Sequence, residues 1–280
     1  MKVLVIGAGT MGSGIAQCFA AANIKTYLYD VKQDAVQKSL QNLRKIIERQ
    51  VEKGRMTADD QTRLFVSLIP VRSIEECGEV DLVIEAIVEK MEVKKQLFQM
   101  LMDQPLGNPI LATNTSSLSI TELAASVSCP NRVIGMHFFN PAPLMKLVEV
   151  VKGAQTSADV VEKVVEVTTG LGKQPVIVNE APGFVVNRIL IPMINEAIGI
   201  FSDGVATAQD IDLAMQYGAN HPMGPLALAD LIGLDVVLDI MEVLQSETGD
   251  SKYRPHGLLK KMVRAGKLGR KSKEGFYNYS

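Results

Sequence analysis

The sequence predicts an α/β fold in two parts, a mostly parallel β-sheet with helices on both faces and then an all-helical domain. The first observation is the alternation of short β-branched runs with helical stretches through the first two thirds of the chain. This alternation is typical of parallel strands joined by crossover helices. The second is the change at Pro182–Gly183, after which strand-like runs nearly vanish. The length of 280 residues also favours two domains, because it exceeds the usual size of one hydrophobic core.

The expected strands of the first part are short and regularly spaced. They are Lys2–Ile6, Lys25–Tyr29, Ser67–Ile69, Asp81–Glu85, Pro109–Ala112, Arg132–Met136, Lys146–Val151 and Gln174–Val178. The helices expected between them are Thr10–Asn23, Met91–Asp103 and Ala158–Leu171. A further helical pair, Gln33–Lys53 and Thr57–Leu64, is too long for a minimal connection. We therefore expect an inserted helical hairpin that projects from the sheet.

The second part reads as helical throughout. We place the domain boundary so that residues 1–183 form the α/β domain and residues 184–280 the helical domain. The expected helices are Phe184–Phe201, Ala208–Tyr217, Pro225–Ile232, Leu234–Gln245 and His256–Ala265. The first of these is apolar on nearly all sides, which predicts that it is buried deeply or between subunits.

Composition and charge exclude several classes of function. A net charge of −2 gives no general attraction for nucleic acid or anionic membranes, and no apolar run approaches the roughly 20 residues that cross a bilayer. The three cysteines, Cys18, Cys77 and Cys129, are far apart and lack CxxC spacing, and no His, Cys and carboxylate cluster has metal-ligand spacing. We expect no metal, no disulfide and a cytoplasmic location.

A glycine-rich turn follows the first strand. Gly7, Gly9 and Gly12 have the spacing GxGxxG, and Thr10 and Met11 open the helix that follows. Gly7 permits a tight turn, Gly9 lets the backbone approach a diphosphate, and Gly12 allows the helix to pack closely on the strand. Phosphates would meet free N–H groups at the positive end of the helix dipole. The turn predicts a dinucleotide site and a Rossmann-like, doubly wound sheet.

An acidic residue closes the second strand, where such a site needs one. Asp30 follows the run Lys25–Tyr29. A carboxylate at this position accepts hydrogen bonds from both ribose hydroxyls of NAD and repels the additional phosphate of NADP. The sequence therefore predicts NAD as the cofactor.

Further along the chain, His137 and Glu149 are candidates for acid–base chemistry. His137 follows the apolar run Arg132–Met136, and in open α/β sheets ligands bind at the carboxyl ends of the strands. A lone histidine is, however, more often a packed core residue. Glu149 lies within the next apolar strand, where an unpaired carboxylate would be costly. Its partner could be His137, or equally Lys146 in a structural ion pair.

Several motifs occur along the chain in one characteristic order. They are Asn114–Leu118, Gly135–Pro141, Met145–Val150, Ala181–Arg188, His221–Pro225, Leu268–Lys271 and Gly275–Tyr277. In these motifs and their order the chain resembles the L-3-hydroxyacyl-CoA dehydrogenases, and the resemblance runs from Lys2 to Tyr279. It implies reversible, NAD-dependent oxidation of a short-chain 3-hydroxyacyl-CoA, such as (S)-3-hydroxybutyryl-CoA, to the 3-keto thioester.

The resemblance also implies roles for individual residues. His137 is expected to be the general base and acid, and Glu149 to fix its tautomer and stabilise the imidazolium. Ser116 and Asn187 are expected to bind the substrate oxygens.

The remaining residues that the resemblance implicates concern the cofactor. Glu85, Glu89 and Lys94 are expected to line the NAD site, although composition alone would describe a solvated helix start with acids at its N-terminus. Asn114 is expected near the nicotinamide ribose. Ser116, His137 and Asn140 complete the cofactor-binding set.

The inserted hairpin carries a basic stripe. Lys45, Arg49 and Lys53 are four residues apart and share one helix face, which suits the phosphates of CoA. Spacing alone favours a solvated face, because Glu48 and Glu52 lie on an adjoining stripe. The resemblance to acyl-CoA enzymes instead favours Arg49 and Lys53 as CoA-binding residues.

The sequence is also compatible with two alternative functions, and it predicts an oligomeric state. A similar fold can dehydrogenate a sugar acid or another hydroxy acid, and a non-catalytic NAD-binding protein can retain it. The apolar surface of the helical domain predicts a homodimer, as does the resemblance, although a monomer with a well-packed core is also compatible with the sequence.

Overall fold

The computed structural model describes residues 1–279, and along the chain two compact units are divided between Glu180 and Ala181. The boundary that the sequence predicts lies a few residues later, within the turn at Gly183. The first unit contains the sheet and the second unit is helical. Within residues 1–279, no helix combines the length and the apolar character needed to cross a membrane.

The first unit is built on a single eight-stranded sheet. Its strands are β1 (Lys2–Ile6), β2 (Lys25–Tyr29), β3 (Leu68–Pro70), β4 (Leu82–Glu85), β5 (Ile110–Thr113), β6 (Val133–Phe138), β7 (Leu147–Lys152) and β8 (Gln174–Asn179). Their order in the sheet is β3-β2-β1-β4-β5-β6-β7-β8. Every neighbouring pair is parallel except β6 and β7, which are antiparallel. The mostly parallel sheet predicted from the sequence is confirmed.

Six helices accompany the strands of this unit. They are α1 (Thr10–Ala21), α2 (Gln33–Glu52), α3 (Ala58–Ser67), α4 (Met91–Met102), α5 (Ile120–Ala124) and α6 (Ala158–Gly170). Helix α3 begins one residue later than predicted, because Thr57 caps it and forms a reciprocal capping box with Asp60. Helices α2 and α3 contribute Leu43, Ile47 and Leu64 to the main core. The inserted hairpin is therefore anchored in that core along its inner face.

One strand is longer than the sequence suggests, and this changes the place of His137. We expected His137 to follow a strand that ended at Met136, but β6 continues to Phe138. The extension arises because β7 pairs with this part of β6, opposing His137 with Glu149 and Phe138 with Val148. That prediction was wrong in detail: His137 lies inside the strand, next to its last residue.

Between Ala181 and Tyr279, the second unit contains five α-helices around its own apolar core. They are α7 (Val186–Ser202), α8 (Ala208–Gly218), α9 (Pro225–Ile232), α10 (Leu234–Thr248) and α11 (Gly257–Arg264). Helix α7 begins at Val186 rather than at Phe184. Gly183 and Phe184 both have positive φ, at 71° and 51°, and a left-handed backbone cannot continue an α-helix. Helix α11 begins after His256, whose Nδ1 accepts the N–H of Leu258 as an N-cap.

Candidate active site

The glycine turn has the close contacts that its sequence requires. Gly7 has φ +105°, and a Cβ there would lie 2.4 Å from the carbonyl oxygen of Ala86. A Cβ on Gly12 would lie 1.8 Å from the carbonyl oxygen of Gly7. Neither position tolerates a side chain. A Cβ on Gly9, by contrast, would have no atom within 4 Å, so the backbone at Gly9 borders open space that a diphosphate can fill.

The first turn of α1 adds donors to this space. Gly9 is the N-cap residue and has no side chain to accept a hydrogen bond, and the first turn contains no acidic side chain. The backbone N–H groups of Thr10, Met11 and Gly12 lie in this first turn, at the positive end of the helix dipole. The turn therefore fits an anionic phosphate and has no carboxylate of its own to compete with it.

Asp30 is held against the same turn. Its Oδ2 accepts the N–H of Ala8 at 2.8 Å, and its Oδ1 accepts the N–H of Lys32 at 2.8 Å. Each carboxylate oxygen has further acceptor capacity. The two bonds hold the carboxylate beside the glycine turn, and its contact with a ribose stays a prediction.

His137 and Glu149 form a cross-strand pair on β6 and β7. They are directly opposite in the antiparallel register, and His137 Nδ1 lies 2.8 Å from Glu149 Oε2. His137 is 6% exposed and Glu149 is 1% exposed. A buried carboxylate at this distance stabilises the tautomer with its proton on Nδ1, so that Nε2 has the lone pair of a base. Of the two partners that the sequence allows for Glu149, the structure provides His137.

Ser116 lies after β5 and is bound to Glu89. The Glu89 Oε1 atom accepts the N–H of Ser116 at 2.8 Å and the hydroxyl of Thr115 at 2.5 Å, and lies 3.3 Å from Ser116 Oγ. Burial opposes ionisation of Glu89, but Lys94 and these donors outweigh it and hold its pKa below the usual range. Glu89 therefore acts as an anionic anchor for the segment that carries Ser116.

Glu85 and Lys94 lie behind this anchor. Glu85 is 0% exposed and Lys94 is 1% exposed. The Lys94 ammonium donates to Glu85 Oε1 at 2.6 Å and lies 3.1 Å from Glu89 Oε2, while Thr113 donates to Glu85 Oε2 at 2.6 Å. We expected both residues to line the NAD site. Their burial instead favours a supporting role, in which they position Glu89, and direct contact with the cofactor stays a prediction.

Asn114 links the ends of two neighbouring strands. Its side-chain oxygen accepts the N–H of Phe138 at 2.9 Å, which ties the residue after β5 to the last residue of β6. The Asn114 side chain therefore lies next to His137 in the sheet, and its amide N–H₂ group remains a donor for a ligand.

Asn140 and Asn187 occupy different parts of the chain. Asn140 is exposed and follows β6 in the loop that returns to β7, where its peptide bond to Pro141 is cis. Asn187 lies in the first turn of α7, in the second unit. The structure thus brings His137, Glu149, Asn114, Ser116 and Glu89 to one edge of the sheet, and the substrate contact of Asn187 stays a prediction.

Arg49 and Lys53 are exposed on α2 and at its C-cap, as the stripe predicts. The alternative was that Glu48 and Glu52 pair with these bases. Among the ion pairs within residues 1–279, none joins these acids to Lys45, Arg49 or Lys53. The stripe therefore remains available to an anionic ligand.

Sequence reasoning missed three polar residues of this region. Thr113 and Thr115 complete the hydrogen bonds of Glu85 and Glu89, and Lys173 binds the loop after β6. The two threonines flank Asn114 at the end of an apolar strand, and this position was the available signal. No local pattern identifies Lys173, which follows a distant helix.

Other features lie apart from these residues. Within the described chain, no three His, Cys, Asp or Glu side chains come together so that they could hold a metal ion. A cavity of about 590 Å³ lies at the amino ends of β1, β4 and β5, where Lys2, Asp81 and Ile110 contribute to its lining. It contains none of the predicted site residues and lies at the opposite edge of the sheet from His137.

Comparison with known proteins covers nearly the whole chain. The family model described as "3-hydroxyacyl-CoA dehydrogenase, NAD binding domain" matches residues 2–181, and "3-hydroxyacyl-CoA dehydrogenase, C-terminal domain" matches residues 183–279. The chain is 54% identical to the 3-hydroxybutyryl-CoA dehydrogenase of Clostridioides difficile over 280 residues, which is 100% of both chains. It is 51% identical to the probable 3-hydroxybutyryl-CoA dehydrogenase of Bacillus subtilis, over 99% of this chain and 97% of that protein. The crystal structure of (S)-3-hydroxybutyryl-CoA dehydrogenase PaaH1 from Ralstonia eutropha superposes with a TM-score of 0.96, at 45% identity, over 100% of this chain and 99% of that one.

Proposed function

The chain belongs to the 3-hydroxyacyl-CoA dehydrogenase family, and from that premise we propose that it catalyses the reversible, NAD-dependent oxidation of (S)-3-hydroxybutyryl-CoA to acetoacetyl-CoA. The observation that carries the proposal is the pairing of His137 with Glu149 on the edge of the sheet that also contains the glycine turn. A nucleotide fold alone would not indicate a reaction, whereas a buried, oriented histidine at this edge provides a proton acceptor for a substrate hydroxyl.

The residues present fit NAD. Gly9 borders open space at the start of α1, and Asp30 is oriented for the ribose. When bound, NAD supplies the acceptor for the hydride that leaves C3 of the substrate. The carboxyl ends of β1, β4, β5 and β6 are neighbours in the sheet. A dinucleotide that starts at Gly9 can therefore extend towards His137, because adjacent strands are only about 4.8 Å apart.

The proton moves to and from His137. In oxidation, neutral Nε2 accepts the proton of the 3-hydroxyl group as the carbonyl forms. Glu149 stabilises the resulting imidazolium through Nδ1, and it prevents the ring from rotating. In reduction, the imidazolium returns the proton to the developing alkoxide. Ser116, anchored by Glu89, orients the substrate oxygen, and Asn187 and Asn140 are proposed to assist at the substrate and cofactor respectively.

The proposal is tested by following NADH absorbance with acetoacetyl-CoA. Wild type should oxidise NADH rapidly and NADPH much more slowly, because Asp30 repels a 2′-phosphate. His137→Gln should lose about 10²- to 10⁴-fold in kcat while it retains NADH binding. Absence of turnover by wild type, with NADH still bound, would overturn the proposed substrate and direct attention to hydroxy acids or sugar acids. Equal turnover by His137→Gln would overturn its assigned role.

The CoA moiety is proposed to bind along the basic stripe of α2. Arg49 and Lys53 are exposed and have no acidic partner among the described ion pairs. Arg49→Glu combined with Lys53→Glu should raise the KM for acetoacetyl-CoA about tenfold or more and leave the KM for NADH unchanged. The matched control is Lys163→Glu, because Lys163 is also exposed on a helix but outside the stripe. An unaltered KM for the thioester would contradict the assignment.

A homodimer through the helical unit forms part of the proposal. This unit exposes large apolar side chains, among them Ile189, Tyr217 and Leu231. Exposed apolar groups of this size favour association with a second copy. Light scattering should give a mass about twice the 30.4 kDa of the chain. Leu231→Glu should lower that mass towards the monomer if the surface is the interface, and an unchanged dimer would place the interface elsewhere.

A cytoplasmic location is also proposed. It is supported by Cys18, Cys77 and Cys129, which are all free thiols. Free thiols, two of them buried, suit a reducing compartment. Cell fractionation with an antibody to the chain would test the location.

A further inference from the structure

Lys173 lies in the turn between α6 and β8, and its ammonium binds the loop that follows β6. It donates to the carbonyl oxygens of Ala142 at 2.6 Å and of Met145 at 2.8 Å. Both acceptors belong to the segment 139–146, which joins the two strands of the His137–Glu149 pair. Hydrogen bonds from a charged donor are stronger than neutral ones. Lys173 therefore provides a two-point attachment for this segment.

The segment has little other support at its tip. Leu144 is 75% exposed, and the internal bonds of the turn run only from the N–H groups of Leu144 and Met145 to the carbonyl of Pro141. Ala142 is the buried residue of this segment, and its carbonyl oxygen is one of the two that accept from Lys173. Without the ammonium, two carbonyl oxygens would lose their charged donor, and the segment would depend on the packing of Ala142 and Pro143 and on the backbone hydrogen bond from Gln174 to Lys146.

The same segment packs on the nucleotide-binding helix. A Cβ added to Gly14 of α1 would lie 3.2 Å from the Cβ of Ala142 and 3.3 Å from the Cδ of Pro143. The positive charge of Lys173 also favours ionisation of the Cys18 thiol on α1. Burial nevertheless dominates there and raises the pKa of Cys18 to about 11, so that the thiol stays neutral. Ala142 thus contacts α1 through its side chain and binds Lys173 through its carbonyl, within the segment that carries Phe139 and Asn140.

The segment that Lys173 holds also carries Phe139 and Asn140, which lie close to His137 in the chain. The ring of Phe139 lies 4.4 Å from that of His137, centroid to centroid, and Asn140 follows it. The geometry points to Lys173 as a positioning residue that fixes the segment 139–146 on α1, so that Phe139 and Asn140 keep their places beside His137. This inference rests on the proposed function, and it assigns Lys173 no contact with the reacting atoms.

The inference is tested with Lys173→Met, Lys173→Arg and the control Lys163→Met, whose lysine makes an exposed ion pair with Glu166 on the same helix. With acetoacetyl-CoA, Lys173→Met should lose about tenfold or more in kcat/KM for NADH, because small displacements of positioning groups slow catalysis strongly. The KM for the thioester should change little. The primary isotope effect with NADH deuterated at the transferred position should increase, since hydride transfer becomes the slow step. Lys173→Arg, which can donate to both carbonyls, should recover much of the loss.

The outcomes separate this inference from the proposed function. If wild type does not reduce acetoacetyl-CoA, the proposed function fails. If wild type is active but Lys173→Met matches Lys163→Met in rate and isotope effect, the role of Lys173 is overturned. If Lys173→Met fails to fold, Gly14→Ala is the second test. The added Cβ would displace Ala142, so the isotope effect should increase while Tm stays nearly unchanged. An unchanged isotope effect in Gly14→Ala would then overturn the inference.

Discussion

Both units of the chain bury carboxylates, and they surround them with different partners. In the first unit, Glu149 faces a histidine, and Glu85 and Glu89 face a lysine. In the second unit, Asp230 accepts the N–H groups of Phe276 and Tyr277 and the hydroxyl of Tyr279.

Asp212 of the second unit is surrounded in the same way. It accepts two N–H groups at the start of α9 and the hydroxyl of Tyr277. No cationic side chain bonds to Asp212 or Asp230 among the described contacts.

The difference appears in the acid–base behaviour of two buried groups. Burial raises the pKa of Asp230, and the donors around it do not compensate. Burial acts in the same direction on Glu89, yet Lys94 and its hydrogen bonds bring the pKa below the usual range. Burial alone therefore does not indicate chemistry. A carboxylate with a lysine or histidine partner at a strand end indicates a site, and one that receives only backbone and tyrosine donors indicates a fold-stabilising bond.

Neutralising Glu149, a carboxylate with a histidine partner, should have the largest effect. In Glu149→Gln the imidazolium of His137 loses its counter-charge, and the amide can favour the wrong tautomer. We expect kcat to fall roughly 10³-fold with little change in Tm. The measurement is NADH oxidation with acetoacetyl-CoA, with Glu166→Gln, at an exposed ion pair, as the control. Near-wild-type turnover by Glu149→Gln would remove the distinction between the two kinds of carboxylate.

The same substitution in the second unit should affect stability instead. In Asp230→Asn the amide N–H₂ group would face the N–H of Phe276 or of Tyr277, which leaves a partly buried donor without an acceptor. We expect a loss of about 2 kcal/mol in the free energy of unfolding in urea. The kcat per folded molecule should be unchanged. Asp203→Asn, at an exposed position, is the control. A fall in kcat without loss of stability would show that Asp230 belongs to the chemistry.

The smallest expected effect is on the pH dependence of stability, which should have opposite signs for Glu89 and Asp230. The folded pKa of Glu89 is lowered, so its contribution is complete above its ordinary value of 4.5 and is lost as pH falls through the folded pKa. The folded pKa of Asp230 is raised, so its contribution is complete below 3.8 and is lost as pH rises through the folded pKa.

Unfolding in urea across acidic to neutral pH measures both. The stability difference between wild type and Glu89→Gln should shrink as pH falls, whereas that for Asp230→Asn should grow. Parallel trends in the two variants would contradict the assignment of opposite shifts.

The sequence was sufficient for the strands and for the nucleotide turn, for identifiable reasons. Strands such as Lys2–Ile6 and Lys25–Tyr29 are bounded by glycine or polar residues and are buried on both faces, so the apolar runs coincide with the elements. The glycine motif itself is local, within residues 7–12, although the turn also contacts Asp30 and Ala86, which are distant in sequence.

The His137–Glu149 pair was harder, because spacing does not show strand direction. The resemblance selected the pair, but only the antiparallel register of β6 and β7 places the two side chains opposite each other. Residues alone left Lys146 as an equal partner. The register depends on hydrogen bonds along the whole of two strands, which no local pattern contains.

The buried ion pair was missed although a signal existed. Lys94 was expected at a ligand surface, but it shares the inner face of α4 with Phe98 and Leu101, which follow at helical spacing. A lysine on an apolar face predicts a buried partner, and Glu85 at the end of an apolar strand was available. The tertiary contact between them could not be read from either element separately.

The opposition of His137 and Glu149 also has a consequence for folding fidelity. If β7 paired with β6 one residue out of register, every side chain of β7 would turn to the other face of the sheet. Glu149 would then be buried without its imidazole, and apolar neighbours would face polar ones. Mispaired hairpins are thus penalised by the same two groups that we propose for the proton transfer. Changes that redesign this pair for another chemistry must also replace its contribution to correct strand pairing.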